Sequence, residues 1–189
     1  VDYKTGRKDF DYCDVFNGVG LQMLLYLFTL EEKGGTHFGA DVVPAGVLYL
    51  PAREAVISGS RDMDANARMH LMDKELVRRG LILEDEDVLE AMEHKESGIR
   101  FLPLKVSSRT GKITGDALVS AEKLGRLKKH TQQILKDICR EIAAGNMDAD
   151  PFWRGPSKNA CQYCEFFRAC QFEEKQDKVR WIPSVKNSE

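Results

Sequence analysis

Asp2 and Lys4 stand two residues apart at the start of the chain. In a β-strand that spacing puts both side chains on one face. A carboxylate beside an ammonium can bind a divalent metal and assist attack on a phosphodiester. The same spacing also makes an ordinary ion pair, so other residues must add weight. Gln22 and Tyr26 lie on a following apolar helix, where an i, i+4 pair shares one face and can point at one site. Near the other end, Cys161, Cys164 and Cys170 form a C-x2-C-x5-C cluster. Thiolates in such a pattern bind zinc or an iron–sulfur cluster, and both usually take four ligands. Cys13, in an N-terminal loop, is a candidate for the missing one. Cys139, on the apolar side of a long helix, reads as a small buried residue.

These groups need a fold to hold them, and 189 residues suffice for one domain with a core. Hydrophobic residues make up 42% and charged residues 31%, the balance of a soluble globular protein. A net charge of −2 excludes a global basic field but leaves room for a local basic surface. The most apolar stretch, Leu21 to Leu30, is too short to cross a membrane and contains Gln22, Tyr26 and Thr29, so it reads as a buried helix. Five cysteines, three of them clustered, suit a metal site in the reducing cytoplasm better than a disulfide framework. No GxxxxGK[ST] phosphate loop is present, so nothing here binds a nucleoside triphosphate by that device.

Residues 1–5 read as a strand, Thr5 to Lys8 as a turn and residues 9–18 as a polar loop. A helix is expected from Val19 until Gly34-Gly35, and a second core strand from Pro44 to Leu50. Residues 60–96 read as an insertion, with a helix from Ala65 to Arg79 and a solvated acidic stretch from Glu84 to Glu96. Ile99 to Val106 is a third strand candidate, broken by Pro103, and Arg109 to Lys112 a hairpin-like turn. The pattern then predicts a long helix from Ser120 to Ala144, capped by Gly145. Its apolar positions Leu124, Leu127, Ile134, Leu135, Ile138 and Ile142 form one stripe to be buried, and its other face is basic. That face, together with Arg7, Lys8, Arg154 and Lys158, offers phosphate contacts. Residues 150–172 hold the cysteines, with Trp153, Phe166, Phe167 and Phe172 expected to pack around them, and 173–189 form a tail.

Four segments taken together carry a resemblance: Val1-Asp-Tyr-Lys-Thr-Gly6, Gly20-Leu-Gln-Met-Leu-Leu-Tyr26, Pro44-Ala-Gly-Val-Leu-Tyr49 and the run from Ala160 to Phe172. Over residues 1–172 the chain resembles the PD-(D/E)xK nuclease superfamily, in the iron–sulfur group of its RecB-like branch, and within that the C-terminal nuclease domains of the AddB family. The resemblance implies an α/β, restriction-endonuclease-like core with a mixed sheet flanked by helices. It implies a Mg²⁺-dependent deoxyribonuclease that cuts the 5′-terminated strand while DNA ends are processed for recombinational repair, paired with an AddA-type helicase/nuclease partner. By the same resemblance Asp2 is a metal ligand and Lys4 the catalytic lysine, Gln22 and Tyr26 lie beside the active site, and Cys161, Cys164 and Cys170 are three ligands of a 4Fe–4S cluster.

The family also carries a further metal carboxylate, a further active-site residue and the first cluster cysteine upstream of this pattern. The expectation is therefore that these residues are a piece of a longer protein, with little nuclease activity and no complete cluster of their own, and that the β-edge near Asp2 invites pairing of two copies. The alternative reading is a non-catalytic, metal-stabilised scaffold that binds DNA or a partner.

Overall fold

The computed structural model describes residues 1–94, 98–173 and 178–182. They fall into two compact units, one of residues 1–10 and 21–129, the other of residues 11–20 and 130 onward.

The first unit is built on a sheet in the order β1 (Asp2–Lys4), β2 (Gly46–Pro51), β3 (Arg79–Leu83), β6 (Leu118–Val119). β1 runs parallel to β2 with Asp2 opposite Tyr49, β2 is antiparallel to β3, and β3 is parallel to β6. The sheet is therefore mixed, and β1 lies at its edge. Consecutive residues of β2 (Val47, Leu48, Tyr49) and of β3 (Leu81, Ile82, Leu83) are all buried, which requires cover on both faces. Helix α2 (Gln22–Phe38) packs on β2 and buries Met23, Leu24 and Phe28. Leu48 and Ile82 join Leu89 of α4 (Glu86–Met92) with Leu102, Leu104 and Ala117 in one apolar cluster.

Several elements differ from expectation. α2 runs through Gly34-Gly35 and ends at Gly39, whose φ of 70° supplies the left-handed cap. A side chain on Gly34 would strike Val42, so that glycine serves packing within the helix. Helix α3 (Ala65–Glu75), capped by Asp64, stops short of Arg79, and the residues after it form β3. The stretch 60–96 thus contributes an inner strand of the sheet. β2 and β3 approach so closely that a Cβ on Gly80 (φ +147°) would collide with the Val47 carbonyl. Of Ile99 to Val106 only β4 (Lys105–Val106) is strand; it pairs with β5 (Ile113–Thr114) across the expected turn, closed by Ser107 N–H to Lys112 O at 2.8 Å. The sequence from Glu84 to Glu96 includes α4, and its last two residues lie outside the described ones.

The second unit contains α1 (Tyr12–Phe16), within the expected loop, because the Asp11 side chain accepts from the Cys13 and Asp14 backbone N–H groups and caps it. Helix α5 (Ala121–Ala143) begins in the first unit, where Leu124 and Leu127 are buried, and continues in the second. Ser120 accepts from Lys123 N–H at its start, and Gly145 (φ 72°) follows its end. The apolar stripe is only half covered: Ile138 is 44% and Ile142 72% exposed, and Cys139 is exposed rather than buried. β7 (Phe152–Trp153) pairs in parallel with β8 (Arg180–Trp181), and α6 (Phe167–Cys170) is a single turn. Trp153 and Phe172 pack with ring centroids 6.1 Å apart, whereas Phe166 and Phe167 face solvent. Among the described residues no helix is long and apolar enough to cross a membrane.

Candidate functional site

β1 puts Asp2 and Lys4 on one face, and Lys4 Nζ lies 2.6 Å from Asp2 Oδ2, both side chains half-buried. The approach is short but poorly aligned, so Oδ2 is buried without a directed hydrogen-bond donor. Tyr49, opposite Asp2 in the parallel ladder, is buried beside it. Burial, and then the Asp2 charge, push the Tyr49 phenol above its ordinary value, so it stays neutral. Nothing in the sequence marks Tyr49 as more than a core residue; its place beside the carboxylate follows from strand register alone.

Gln22 and Tyr26 open α2 on one exposed face, where Gln22 Nε2 donates to Tyr26 Oη at 3.0 Å. The structure thus brings together Asp2 with Lys4, and Gln22 with Tyr26. Among the described residues no hydrogen bond or ion pair joins one couple to the other. After Lys4 the chain turns at Gly6, and Arg79 Nη1 donates to Asp9 at 2.7 Å, with Arg7 Nε 3.8 Å from the same carboxylate. Arg53 is held by Glu75 at 3.0 Å.

In the second unit Cys161 is half-buried and Cys164 and Cys170 are exposed, all as free thiols. The backbone folds tightly around them: Cys164 N–H donates to Cys161 O, and Cys170 N–H to Phe166 O. Burial pushes the Cys161 thiol up, and the nearby Cys164 and Cys170 add to the shift. Cys13 lies on α1, close enough for its charge to act on Arg154. Arg154 and Lys158, the expected phosphate contacts near the cysteines, are ion-paired. Arg154 Nη1 donates to Asp11 Oδ2 at 2.7 Å and lies 3.2 Å from Asp14, and Lys158 Nζ donates to Asp14 Oδ2 at 3.3 Å. Burial alone would raise the Asp11 carboxyl. The Arg154 hydrogen bond and charge, with the Asp14 and Cys13 N–H groups, outweigh it and hold Asp11 below 3.8. The basic face of α5 is also partly neutralised, since Arg126 lies near Glu122 and Arg140 bonds Asp137. Hydrogen bonds to Glu31 and Glu32 raise Lys128.

The buried Asp2 Oδ2, which meets Lys4 Nζ but makes no directed hydrogen bond, is a hard donor suited to Mg²⁺ and fits that ion as one ligand. The cysteines, as placed, do not fit a cluster: among the described residues no three His, Cys, Asp or Glu side chains gather into a group able to hold a metal.

The sequence pattern described as the PD-(D/E)XK nuclease superfamily matches residues 1–171. The chain is similar to the B subunit of the ATP-dependent helicase/deoxyribonuclease of Acetivibrio thermocellus, 34% identical over 176 residues, covering 92% of this chain and 15% of the relative. The protein of the same description from Clostridium botulinum is 30% identical over 175 residues, with coverage of 92% and 15%. That from Clostridium kluyveri is 28% identical over 194 aligned positions, covering 100% of this chain and 17% of the relative. The chain thus spans about 15% of the length of the first of these relatives.

Proposed function

Because this chain belongs to the PD-(D/E)XK nuclease superfamily, we propose that it is the deoxyribonuclease domain in the B subunit of a helicase–nuclease. The observation that carries the reading is the Asp2–Lys4 ion pair on one face of β1, with Lys4 Nζ 2.6 Å from Asp2 Oδ2. The substrate is DNA at double-strand ends, processed for recombinational repair by cutting of the 5′-terminated strand. ATP-driven translocation comes from the helicase parts, mainly the AddA-type partner. The relatives, described as ATP-dependent helicase/deoxyribonucleases, support the DNA substrate and the helicase association.

Asp2 would hold Mg²⁺ through Oδ2. Bound there, the ion would supply Lewis-acid polarisation of the phosphate and a more acidic water. Lys4, released from Asp2, donates from Nζ to the oxygens on which charge builds as the water attacks. Gln22 and Tyr26 orient the strand from the rim of α2. Tyr49, kept neutral, fills the space beside Asp2 and limits water there. A single carboxylate makes a weak Mg²⁺ site, so robust cutting belongs to the whole helicase–nuclease and little is expected of these 189 residues alone.

A role for Cys161, Cys164 and Cys170 as three ligands of a 4Fe–4S cluster belongs to the whole protein, where the segment would have to draw them together, since among the described residues they do not gather into a metal-holding group. Their mutual effect on the Cys161 thiol supports proximity, and no chemical step runs through them. The edge position of β1 supports pairing of two copies of the chain through that strand, and a strict monomer in sedimentation at high concentration would oppose it.

The test is Lys4→Ala and Asp2→Ala in the whole helicase–nuclease. Each is expected to reduce cutting of one strand by a factor on the order of 10² or more while ATP hydrolysis persists. An unchanged cutting pattern in both variants would favour the scaffold reading instead.

A further inference from the structure

Resting on the nuclease reading, we infer that the end of the sheet beyond Lys4 is a seat for a backbone phosphate of the DNA strand, next to the phosphate that is cut. β1 and β2 are parallel, so Lys4 and Pro51 finish at the same end, and antiparallel β3 returns Arg79 to it. Ala52 N–H donates to Lys4 O at 2.9 Å, which holds the two exits side by side. In open α/β sheets, ligands bind in the crevice outside the carboxyl ends of the strands.

Here that crevice is a single cleft lined by Lys4, Arg7, Lys8, Arg53, Lys74 and Arg79, with Glu75 the acid among its lining residues. Asp2 neutralises Lys4, Asp9 serves both Arg7 and Arg79, and Glu75 holds Arg53. Three carboxylates against six cations leave an excess of three positive charges in a chain whose net charge is −2. Among the described residues Lys8 and Lys74 have no ion-pair partner. Arg53 and Arg79 are held by hydrogen bonds of 3.0 and 2.7 Å and lose little freedom when an anion arrives, while Lys8 and Lys74 face no carboxylate among the described residues and Arg7 shares Asp9 with Arg79 at 3.8 Å. The basic face of α5 contrasts with this, because there Arg126, Lys128 and Arg140 already face carboxylates. The catalytic lysine forms one wall of the cleft, so a strand whose scissile phosphate sits at Lys4 brings its neighbouring phosphate over Lys8 and Lys74.

The experiment uses the 189-residue chain, a labelled single-stranded oligonucleotide and EDTA to suppress cutting, read by fluorescence anisotropy between about 50 and 200 mM salt. The variants are Lys8→Ala with Lys74→Ala, and Lys74→Ala alone, an exposed position. Lys112→Ala on the β4–β5 turn is the control, charge-matched to Lys74→Ala. The double variant is expected to bind about tenfold more weakly, with the slope of log K against log salt reduced by about 0.7, the value for one phosphate no longer neutralised. The single variant should show about half of that slope change, and the control less than about a twofold effect. Wild-type binding by the double variant, or an equal weakening in Lys112→Ala, overturns the inference. Activity of the whole helicase–nuclease separates the two readings. If Lys4→Ala abolishes cutting and the double variant keeps a wild-type KM, the cleft falls and the nuclease stands. If Lys4→Ala leaves cutting intact while the double variant loses DNA, the nuclease reading falls and the cleft stands.

Discussion

Removing Arg154 should loosen the whole cysteine-bearing segment, and the size of the effect follows from its surroundings. Arg154 is 10% exposed and sits between Asp11 at 2.7 Å and Asp14 at 3.2 Å, whose side chains are 29% and 12% exposed. Deleting one partner of a buried ion pair costs roughly 3–5 kcal/mol, because the remaining charges stay buried without compensation. Three features lower that figure here. Lys158 stays 3.3 Å from Asp14, Asp11 is partly hydrated, and Arg154 Nε and Nη2 are themselves buried without partners. About 2–3 kcal/mol is therefore expected for Arg154→Ala, a fall in Tm of roughly 4–12 °C for a domain of this size. Arg154→Met retains the aliphatic stem and should lose nearly as much, which separates charge from packing.

The pH dependence supplies an independent check. Asp11 is held below its ordinary 3.8, so its stabilisation is fully present above 3.8 and is lost as pH falls toward the depressed folded value, because the unfolded chain takes up the proton first. The penalty of Arg154→Ala, measured by urea unfolding, should therefore be constant near neutrality and shrink below 3.8. A variant within about 0.5 kcal/mol of wild type at neutral pH, or a penalty that does not change with acid, would refute the reasoning.

Three other sets of substitutions probe separate parts of the molecule. Gly80→Ala forces a Cβ onto the Val47 carbonyl at φ +147° and should cost at least about 2 kcal/mol in urea unfolding. Gly125→Ala, inside α5 with open space around it, should instead stabilise by about 0.5–1 kcal/mol. Cys161→Ser, Cys164→Ser and Cys170→Ser should each lower the iron content of the whole protein, and tightly held zinc in place of iron would favour a metal-stabilised module over a cluster.

What the sequence made legible was local. The strand period of 2 put Asp2 beside Lys4, and the helix period placed Gln22 within reach of Tyr26. Ser120 and Gly145 marked the ends of α5, through a hydrogen bond and a dihedral of their own. The misreadings arose where a distant segment decided. Two glycines cost a helix about 2 kcal/mol and suggest a stop, yet α2 continues because Val42 packs on the bare face of Gly34. Leu76 and Val77 prolong the apolar pattern of α3, and only pairing with β2 turns the following residues into β3. The position of Arg154 depends on Asp11, 143 residues away, and on Asp14 beside it, so a basic side chain that looked available for phosphate is already ion-paired.

The same logic explains why the cleft beside Lys4 was only half visible. Arg7 and Lys8 follow the strand directly and drew notice from their sequence position. Arg53, Lys74 and Arg79 reach the cleft by way of a parallel neighbour, a helix end and an antiparallel return. A cleft assembled from three separate strand ends leaves no motif in any one of them, whereas a catalytic pair on one strand can. It follows that charge in this protein must be judged by which carboxylate stands opposite each cation, and by that criterion Lys8 and Lys74 remain available where Arg154 and Lys128 do not.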